Sequence, residues 1–335
     1  MKDVLVFGSG KTYNKLKTDI YDNYNVVGIL DNDIRKQHKL CNGKRILPPT
    51  EVGEIVFDEI VITSSIYCLE MIKQLMEIGI SFTKINTSYL FDDLYIDKSN
   101  RVIAVKKGVL AELTDGSDCA VMAELSNEYK EIEGLDKGIF IDVGMNVGIV
   151  SMYYASKNYI EKVYAFEPFT LTYEKALKNF SQNRAEVVEK IQHNNYGLGY
   201  SEEVRFITEY NQNYSGGNST LTDKSINIGN QQGISVIIKN AASEIEWTIS
   251  ENPDRNIVCK IDTEGSEYEI IDILNENRIV DRISAFIMEY HPVKDRSPDS
   301  IKQVLMRNGF TLKEFPMGDS WGMLEAINSN SNKRV

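Results

Sequence analysis

The segment 140–168, FIDVGMNVGIVSMYYASKNYIEKVYAFEP, constrains the fold more than any other part of the sequence. Its first residues, Phe140 to Val143, form a short apolar run typical of a buried strand, and glycines follow at positions 144 and 148. Apolar residues then recur at helical spacing, and a second apolar run ends in Glu167 and Pro168. A strand, a glycine turn, a helix and a strand in this order predict a parallel, doubly wound α/β sheet.

The glycine turn predicts a ligand site where the first strand ends. Glycine permits positive φ and lets a ligand approach the backbone, and the amides that open the next helix can donate to it. Glu167 ends the second strand about 20 residues beyond the turn, where such folds hold the two hydroxyls of a ribose. We therefore expect Glu167 to bind a ribose. The alternative is that Asp142 caps a helix and the glycines only make a turn.

The spacing of the turn distinguishes two kinds of cofactor. A dinucleotide fingerprint has glycines at its first, third and sixth positions, whereas this sequence has Asp142-x-Gly144-x-Asn146-x-Gly148. The spacing resembles the first motif of class I S-adenosylmethionine-dependent methyltransferases. The resemblance implies that Asp142, Gly144 and Asn146 lie against the amino-acid part of the cofactor, with Gly148 completing the turn.

A second segment makes the resemblance more specific. VCKIDTEGSEYEIIDIL, residues 258–274, is an apolar strand that runs into an acidic turn and a helix. Together with FIDVGMNVG and the later IMEYHP, residues 287–292, it resembles the FkbM family of methyltransferases over residues 118–327. This resemblance implies S-adenosylmethionine as cofactor, methyl transfer as the reaction and a hydroxyl as acceptor. It does not name the substrate.

Strand and helix signals divide the chain into two α/β domains. We predict a Rossmann-like domain over residues 1–95, connecting strands and a helix over 96–125, and the cofactor domain over 126–335. For the last, the resemblance implies the class I methyltransferase doubly wound sheet. The apolar runs at 310–315 and 321–327 predict that it ends in an antiparallel hairpin.

The N-terminal domain has a glycine turn of its own, Gly8-Ser9-Gly10. The turn is not a phosphate loop, because Leu5 occupies the place of the first glycine, and Tyr13 interrupts a dinucleotide fingerprint. VVGILDND, residues 26–33, followed by Gly43 and by ILPP, residues 46–49, resembles Rossmann-like domains attached to bacterial sugar-modifying enzymes. Two functions remain open: a nucleotide or sugar-nucleotide site with Asp31 as the ribose acid, or a docking domain through which homo-oligomers form.

Charge and cysteine content limit the partners. The net charge of -12 argues against nucleic acid or an anionic membrane as the main partner. The four cysteines are far apart and lack metal-ligand spacing, so we expect reduced thiols and a cytoplasmic protein. No apolar run is long enough for membrane insertion. The expected partner is a small-molecule or glycan substrate.

The segment 209–233, EYNQNYSGGNSTLTDKSINIGNQQG, is rich in Asn, Ser and Gly. Loops of this length inside a compact domain are usually functional or disordered. We predict a substrate lid in which Tyr214, Asn218 and Ser219 contact a polar substrate, the alternative being a flexible surface loop. Residues 187–193 are predicted to contain the third strand. In class I methyltransferases the segment beyond this strand borders the adenine, so the resemblance also makes Asn195 and Gly197 candidate cofactor contacts.

Candidate catalytic residues follow the fourth and fifth strands. A hydroxyl acceptor must lose its proton, which requires a base beside the methyl group. We predict His291 as the base or its partner, with Glu264 or Asp262 as the other candidate, and Asp262 also beside the cofactor. Glu267 is expected to bind substrate hydroxyls or to cap the helix that it begins. Asp262, Glu264 and His291 could hold a divalent metal, but no ligand spacing demands one, so no metal is predicted.

The sequence therefore predicts an S-adenosylmethionine-dependent O-methyltransferase acting on a hydroxyl of a sugar, a glycan precursor or a similar polar metabolite. Alternatives are an N-methyltransferase of a small metabolite, and a nicotinamide- or sugar-nucleotide-binding protein led by the N-terminal domain. A third is a binding module that keeps the cofactor fold without turnover.

Overall fold

The structure is a computed structural model that describes residues 1–129, 136–211, 213–221, 233–318 and 321–329. The chain divides into two compact units, Met1–Ser126 and Asn127–Val335. Within the described residues, every helix is too short or too polar to cross a bilayer.

The first unit contains two sheets. Its strands are β1 (Asp3–Phe7), β2 (Asn25–Leu30), β3 (Leu40–Cys41), β4 (Lys44–Leu47), β5 (Glu59–Ile62), β6 (Ile85–Asn86), β7 (Asp93–Ile96), β8 (Val102–Lys106) and β9 (Val109–Glu112). Its helices are α1 (Lys11–Asn23), α2 (Cys68–Glu77) and α3 (Gly116–Glu128), with 3₁₀ turns at Pro49–Glu54 and Phe82–Lys84. The larger sheet has the order β3-β4-β2-β1-β5-β6, and β7, β8 and β9 form an antiparallel sheet.

The apolar pattern explains the larger sheet. Residues Val4 to Phe7 of β1 are fully buried at its centre, and α1 buries Tyr13 and Ile20. The last strand of this sheet, β6, is short and follows the 3₁₀ turn at Phe82–Lys84, and the hairpin of β3 and β4 was not expected. The acidic segment 91–100, at the predicted end of the first domain, contains β7. The role of this unit stays a prediction.

The second unit is the larger one. Its strands are β10 (Gly138–Val143), β11 (Ile160–Phe166), β12 (Ile191–Asn194), β13 (Gly197–Gly199), β14 (Glu203–Ile207), β15 (Ile234–Asn240), β16 (Asn256–Ile261), β17 (Ala285–Tyr290), β18 (Phe310–Pro316) and β19 (Gly322–Asn328). Its helices are α4 (Ile149–Ala155), α5 (Thr170–Phe180), α6 (Ala185–Val188), α7 (Ala241–Glu251), α8 (Glu267–Glu276) and α9 (Pro298–Arg307), with a 3₁₀ turn at Val280–Arg282.

A seven-stranded sheet organises this unit, in the order β12-β11-β10-β16-β17-β19-β18. Five neighbouring strands of this sheet are parallel: β12, β11, β10, β16 and β17. The last two, β18 and β19, form the antiparallel hairpin that the sequence predicts. All six residues of β10 are buried, as expected for a central strand covered on both faces. The predicted doubly wound sheet and terminal hairpin are confirmed.

The second unit differs from the sequence prediction at two places, the start of the third strand and a small additional sheet. The third strand was expected over residues 187–193, but Val187 and Val188 belong to the short helix α6 and the strand begins at Ile191. The sequence pattern does not distinguish the two conformations here, because branched apolar residues next to a strand occur both in a helical turn and in an extended segment. A small sheet, β13-β15-β14, lies outside the main one, and β13 was not expected.

Candidate functional site

The carboxyl ends of four parallel strands meet at one edge of the main sheet. Phe166, Val143, Ile261 and Met288 lie side by side in register on β11, β10, β16 and β17. The residues that follow them along the chain therefore converge on one region. Open α/β sheets bind ligands at this edge.

The glycine turn after β10 is packed tightly against its neighbours. Gly144 has φ 84° and Gly148 has φ 81°, and Asn146 between them also has positive φ, 51°. A Cβ on Gly144 would lie 1.8 Å from the carbonyl oxygen of Asp262, and a Cβ on Gly148 would lie 2.5 Å from the ring of Phe180. Side chains are therefore excluded at both glycines, and the backbone of the turn stays bare.

Glu167 lies at the tip of β11, beside this turn. Its Oε2 accepts the backbone N–H of Asn146 at 2.9 Å, and its Oε1 accepts that of Phe169 at 2.9 Å. Burial raises the pKa of Glu167 to about 7, although both amides favour the charged form. Each oxygen keeps a free lone pair for a ligand hydroxyl. The Oδ1 atom of Asn146 is buried without a hydrogen-bond partner among the described residues, so the turn has an acceptor left for a ligand.

Asp142, which the resemblance places against the cofactor, lies in the interior of the protein. It is 0% exposed, its Oδ2 accepts the hydroxyl of Ser151 at 2.6 Å, and the Nζ of Lys260 lies 3.2 Å from its Oδ1. Burial raises the pKa of Asp142, and Lys260 opposes that shift. This carboxylate thus contacts Ser151 and Lys260 inside the protein, and its contact with the cofactor stays a prediction.

Lys260 was missed by the sequence analysis. It is 3% exposed, its Nζ donates to the carbonyl oxygen of Gly144 at 2.5 Å, and it lies 3.5 Å from Oδ2 of Asp262. Burial lowers the pKa of Lys260, but Asp142 and Asp262 outweigh burial and raise it. A lysine inside an otherwise apolar strand, two residues before an aspartate on the same face, was the available signal.

Four side chains form what we call the strand-end cluster: Asp262, Glu264, Glu289 and His291. The Nε2 atom of His291 lies 3.4 Å from Oε2 of Glu264 and 3.6 Å from Oε1 of Glu289. One ligand atom each of Asp262, Glu264 and His291 lies within 4.8 Å of the others. The structure thus brings the three predicted catalytic residues together. It adds Glu289, which precedes His291 by two positions and so shares its strand face.

Three side chains of the cluster, those of His291, Glu289 and Glu264, have raised pKa values. Burial lowers the pKa of His291, but its hydrogen bond to Glu267 and the charges of Glu267 and Glu264 raise it to about 9 overall. Burial, with Asp262 as the main charged neighbour, raises the pKa of Glu289. Burial also raises the pKa of Glu264. The neighbouring carboxylates therefore favour the protonated imidazole ring, and the raised pKa values make Glu264 and Glu289 better proton acceptors than ordinary carboxylates.

Glu267 supports the cluster from inside the protein. It is 0% exposed, and its Oε1 accepts the backbone N–H groups of Thr263 at 2.9 Å and Gly265 at 3.2 Å. The Nδ1 atom of His291 lies 3.1 Å from the same oxygen. No part of Glu267 reaches the surface, and of its two predicted roles, binding substrate hydroxyls and capping the helix, these contacts favour the second. Glu267 orients the turn and the histidine ring.

Part of the predicted substrate lid lies against the cluster. The N–H of Gly217 donates to Oε1 of Glu264 at 2.9 Å, and the hydroxyl of Ser219 donates to the carbonyl oxygen of Glu264 at 2.6 Å. Asn218 instead donates to the carbonyl oxygen of Tyr214 at 2.9 Å, so its amide closes the loop internally. The structure therefore brings Ser219 to the cluster and uses Asn218 to shape the loop. Residues 212 and 222–232 of the predicted lid lie outside the described residues.

The two residues predicted beside the adenine have structural contacts. The side-chain amide of Asn195 donates to the carbonyl oxygen of Glu167 at 2.9 Å, which fixes the end of β11. A Cβ on Gly197 would lie 2.9 Å from Cδ1 of Ile238 and 3.2 Å from Cβ of Pro168. Gly197 thus permits close packing of the chain against Ile238 and Pro168. Asn195 holds the backbone of Glu167, the predicted ribose ligand.

Comparison with known families agrees with this geometry. The family model described as the methyltransferase FkbM domain matches residues 142–312, just over half of the chain. A second model, described as C2185-like, N-terminal, matches residues 1–86. No curated protein matches the sequence.

Three of the solved structures to which the chain is similar are methyltransferases of low sequence identity. Methyltransferase FkbM from Methylobacillus flagellatus KT is 13% identical, with 97% of this chain and 90% of that chain covered and a TM-score of 0.40. An rRNA methylase from Streptococcus thermophilus is 12% identical, with coverage of 58% and 90% and a TM-score of 0.34. M. capricolum TrmK, solved in complex with S-adenosyl-homocysteine, is 15% identical, with coverage of 59% and 65% and a TM-score of 0.34.

Proposed function

The chain belongs to the FkbM family of methyltransferases and uses S-adenosylmethionine, and we propose that it methylates a hydroxyl of a sugar, a glycan precursor or a similar polar metabolite. The sulfonium of the cofactor already activates the methyl group, so the protein has to orient the two reactants. For a hydroxyl acceptor it also has to favour loss of a proton. The residues at the sheet edge are suited to both tasks.

The glycine turn and Glu167 are the proposed cofactor site. Gly144, Asn146 and Gly148 leave a bare backbone for the amino-acid part of the cofactor, and the ionised Glu167 accepts the two ribose hydroxyls. Asn195 acts through Glu167, whose backbone it fixes. The fit is supported by the buried, unpartnered Oδ1 of Asn146, which is free to accept a hydrogen bond from the cofactor.

The strand-end cluster is the proposed catalytic group, and one observation carries this proposal. Gly144 of the cofactor turn packs directly on the backbone of Asp262, so the cluster begins where the cofactor site ends. A carboxylate of the cluster accepts the proton of the acceptor hydroxyl, and His291 acts as its partner. The predicted role of His291 as the base itself passes to the carboxylates.

Polar surroundings favour a polar acceptor. Ser219 and the backbone of Gly217 lie beside Glu264, where a substrate with several hydroxyls finds donors and acceptors. The net charge of -12 disfavours nucleic acid, and the dispersed reduced cysteines favour a cytoplasmic reaction. For the first unit we retain both proposals, a sugar-nucleotide site and a docking surface for homo-oligomers.

The proposal is tested by methyl transfer from isotopically labelled S-adenosylmethionine to a panel of nucleotide sugars, oligosaccharides and small amines, with NMR of the product. We expect label in an O-methyl group of one sugar class. Label in an N-methyl group would replace the hydroxyl acceptor by nitrogen. Cofactor binding without transfer to any member of the panel would favour a binding module.

A further inference from the structure

One distance within the strand-end cluster matches that between two ligands of one ion. Two atoms that each lie about 2.1 Å from a cation, at angles between about 90° and 109°, are about 3.0 to 3.5 Å apart. Nε2 of His291 and Oε2 of Glu264 are 3.4 Å apart, which is longer than an ordinary N–H···O bond. A ligand atom of Asp262 completes a set within 4.8 Å.

Each of the three side chains, those of Asp262, Glu264 and His291, has one polar atom in contact with a neighbouring polar group. Oε1 of Glu264 accepts the N–H of Gly217 at 2.9 Å, and Oδ2 of Asp262 lies 3.5 Å from Nζ of Lys260. Nδ1 of His291 lies 3.1 Å from Oε1 of Glu267. Fixed outer partners of this kind orient metal ligands in proteins, and a histidine backed by a carboxylate is the commonest example.

The carboxylates around His291, Glu267 among them, favour a positive charge at this place. Glu267 is 0% exposed, its carboxylate faces His291 through Oε1, and its Oε2 has no hydrogen-bond partner among the described residues. Around the histidine ring lie three carboxylates, those of Glu264, Glu267 and Glu289. A buried carboxylate with an unsatisfied oxygen is costly unless a positive charge lies close by.

We propose that Asp262, Glu264 and His291 bind a divalent cation. Two carboxylates and one imidazole suit manganese well, because carboxylates favour Mg²⁺ and Mn²⁺ whereas imidazole favours later metals. Three protein ligands leave coordination positions open, and the acceptor oxygen occupies one of them. The inference rests on the proposed function and deepens it, since it states how the acceptor is oriented. Glu289, which lies outside the ligand set, is then the free carboxylate of the cluster.

The test uses the full chain after treatment with EDTA and removal of the chelator. Mn²⁺ is added while the signal of the free ion is followed by electron paramagnetic resonance. We expect a single site that Asp262→Asn, Glu264→Gln and His291→Gln each weaken by about tenfold or more. Glu174→Gln, which removes an exposed carboxylate on α5, is the matched control and should leave the affinity unchanged.

A thermal melt with and without Mn²⁺ checks each variant for folding. The ion should raise the melting temperature of the wild type and of Glu174→Gln, but not that of Glu264→Gln. Absence of Mn²⁺ binding at millimolar concentration, or binding that all three substitutions leave intact, would overturn the cation site.

The two proposals fail in distinguishable ways. If metal-free protein binds S-adenosylhomocysteine and methylates an acceptor while no Mn²⁺ binds, the cation site is wrong and the proposed function stands. If Mn²⁺ binds as described but no acceptor in the panel is methylated, the cation site stands and the proposed function is wrong.

Discussion

Lys260 shows how a single buried charge can hold the cofactor turn in place. Its ammonium group contacts the carboxylates of Asp142 and Asp262 and the carbonyl oxygen of Gly144. Removing a lysine from water is costly, and the two carboxylates and the carbonyl offset that cost. The residue therefore links β10, the glycine turn and the end of β16 at one point.

Replacing Lys260 tests this link. Lys260→Met should lower the free energy of unfolding by about 3 to 5 kcal/mol, because it leaves Asp142 buried without its positive partner. The double variant Lys260→Met with Asp142→Asn should recover part of the loss, since it removes the unpaired charge. Urea denaturation measures both, and equal stabilities of the single and double variants would contradict the account.

Glu167 makes cofactor affinity depend on pH. Its pKa of about 7 means that the carboxylate is mostly protonated below that pH and ionised above it. Ribose hydroxyls donate best to the ionised form, so affinity for S-adenosylhomocysteine should rise about tenfold between about pH 6 and pH 8. Calorimetric titration at several pH values measures it. Glu167→Gln should bind more weakly, with a flat profile across this range.

The same residue has the opposite effect on stability. The carboxyl ionises near its ordinary value of 4.5 in the unfolded chain but only at about 7 in the folded protein. Its stabilising contribution is therefore complete below the unfolded pKa and is lost as pH rises through the folded one. Wild-type stability relative to Glu167→Gln should fall over this window. A constant difference would show that burial does not raise the pKa of Glu167.

At the scale of elements, the turn after β10 depends on the absence of a side chain. Gly144 and Gly217 have nearly the same φ, 84° and 83°, but a Cβ at 144 would meet backbone at 1.8 Å while one at 217 would meet only the ring of Tyr214 at 3.7 Å. Alanine substitutions at these two glycines therefore distinguish the cost of positive φ, which both share, from the cost of a steric collision, which only Gly144 has.

Gly144→Ala should therefore abolish measurable binding of S-adenosylhomocysteine, whereas Gly217→Ala should cost about 1 to 2 kcal/mol of stability from positive φ alone. Calorimetry and urea denaturation give the two quantities. Equal effects of the two substitutions would mean that the turn moves to accommodate a side chain at 144.

The sequence predicts the elements of the second unit better than the contacts between them. The parallel order, the glycine turn and the terminal hairpin follow from apolar runs and turn residues. Burial of Asp142 and Glu267 could not be predicted, because motif spacing places a carboxylate at a strand end without saying which way it faces. Their partners, Ser151 and His291, are positioned by tertiary packing.

At the scale of the whole molecule, the acidic charge predicts weak binding of nucleic acid. A net charge of -12 opposes contact with phosphates, which supplies most nonspecific nucleic-acid affinity. In a filter-binding assay at physiological salt, we expect no retention of total tRNA and no transfer of labelled methyl groups to it. Retention that weakens with added salt would indicate a basic surface and a nucleic-acid acceptor.

The central claim is that cofactor binding and acceptor activation occupy neighbouring parts of one sheet edge. The most direct test measures S-adenosylhomocysteine affinity and single-turnover methyl transfer in Glu167→Gln and Glu264→Gln, with an acceptor from the panel. Glu167→Gln should weaken affinity by about 1 to 3 kcal/mol. Glu264→Gln should slow transfer about a hundredfold with affinity nearly intact. Full transfer in Glu264→Gln, or unchanged affinity in Glu167→Gln, would contradict this division of roles.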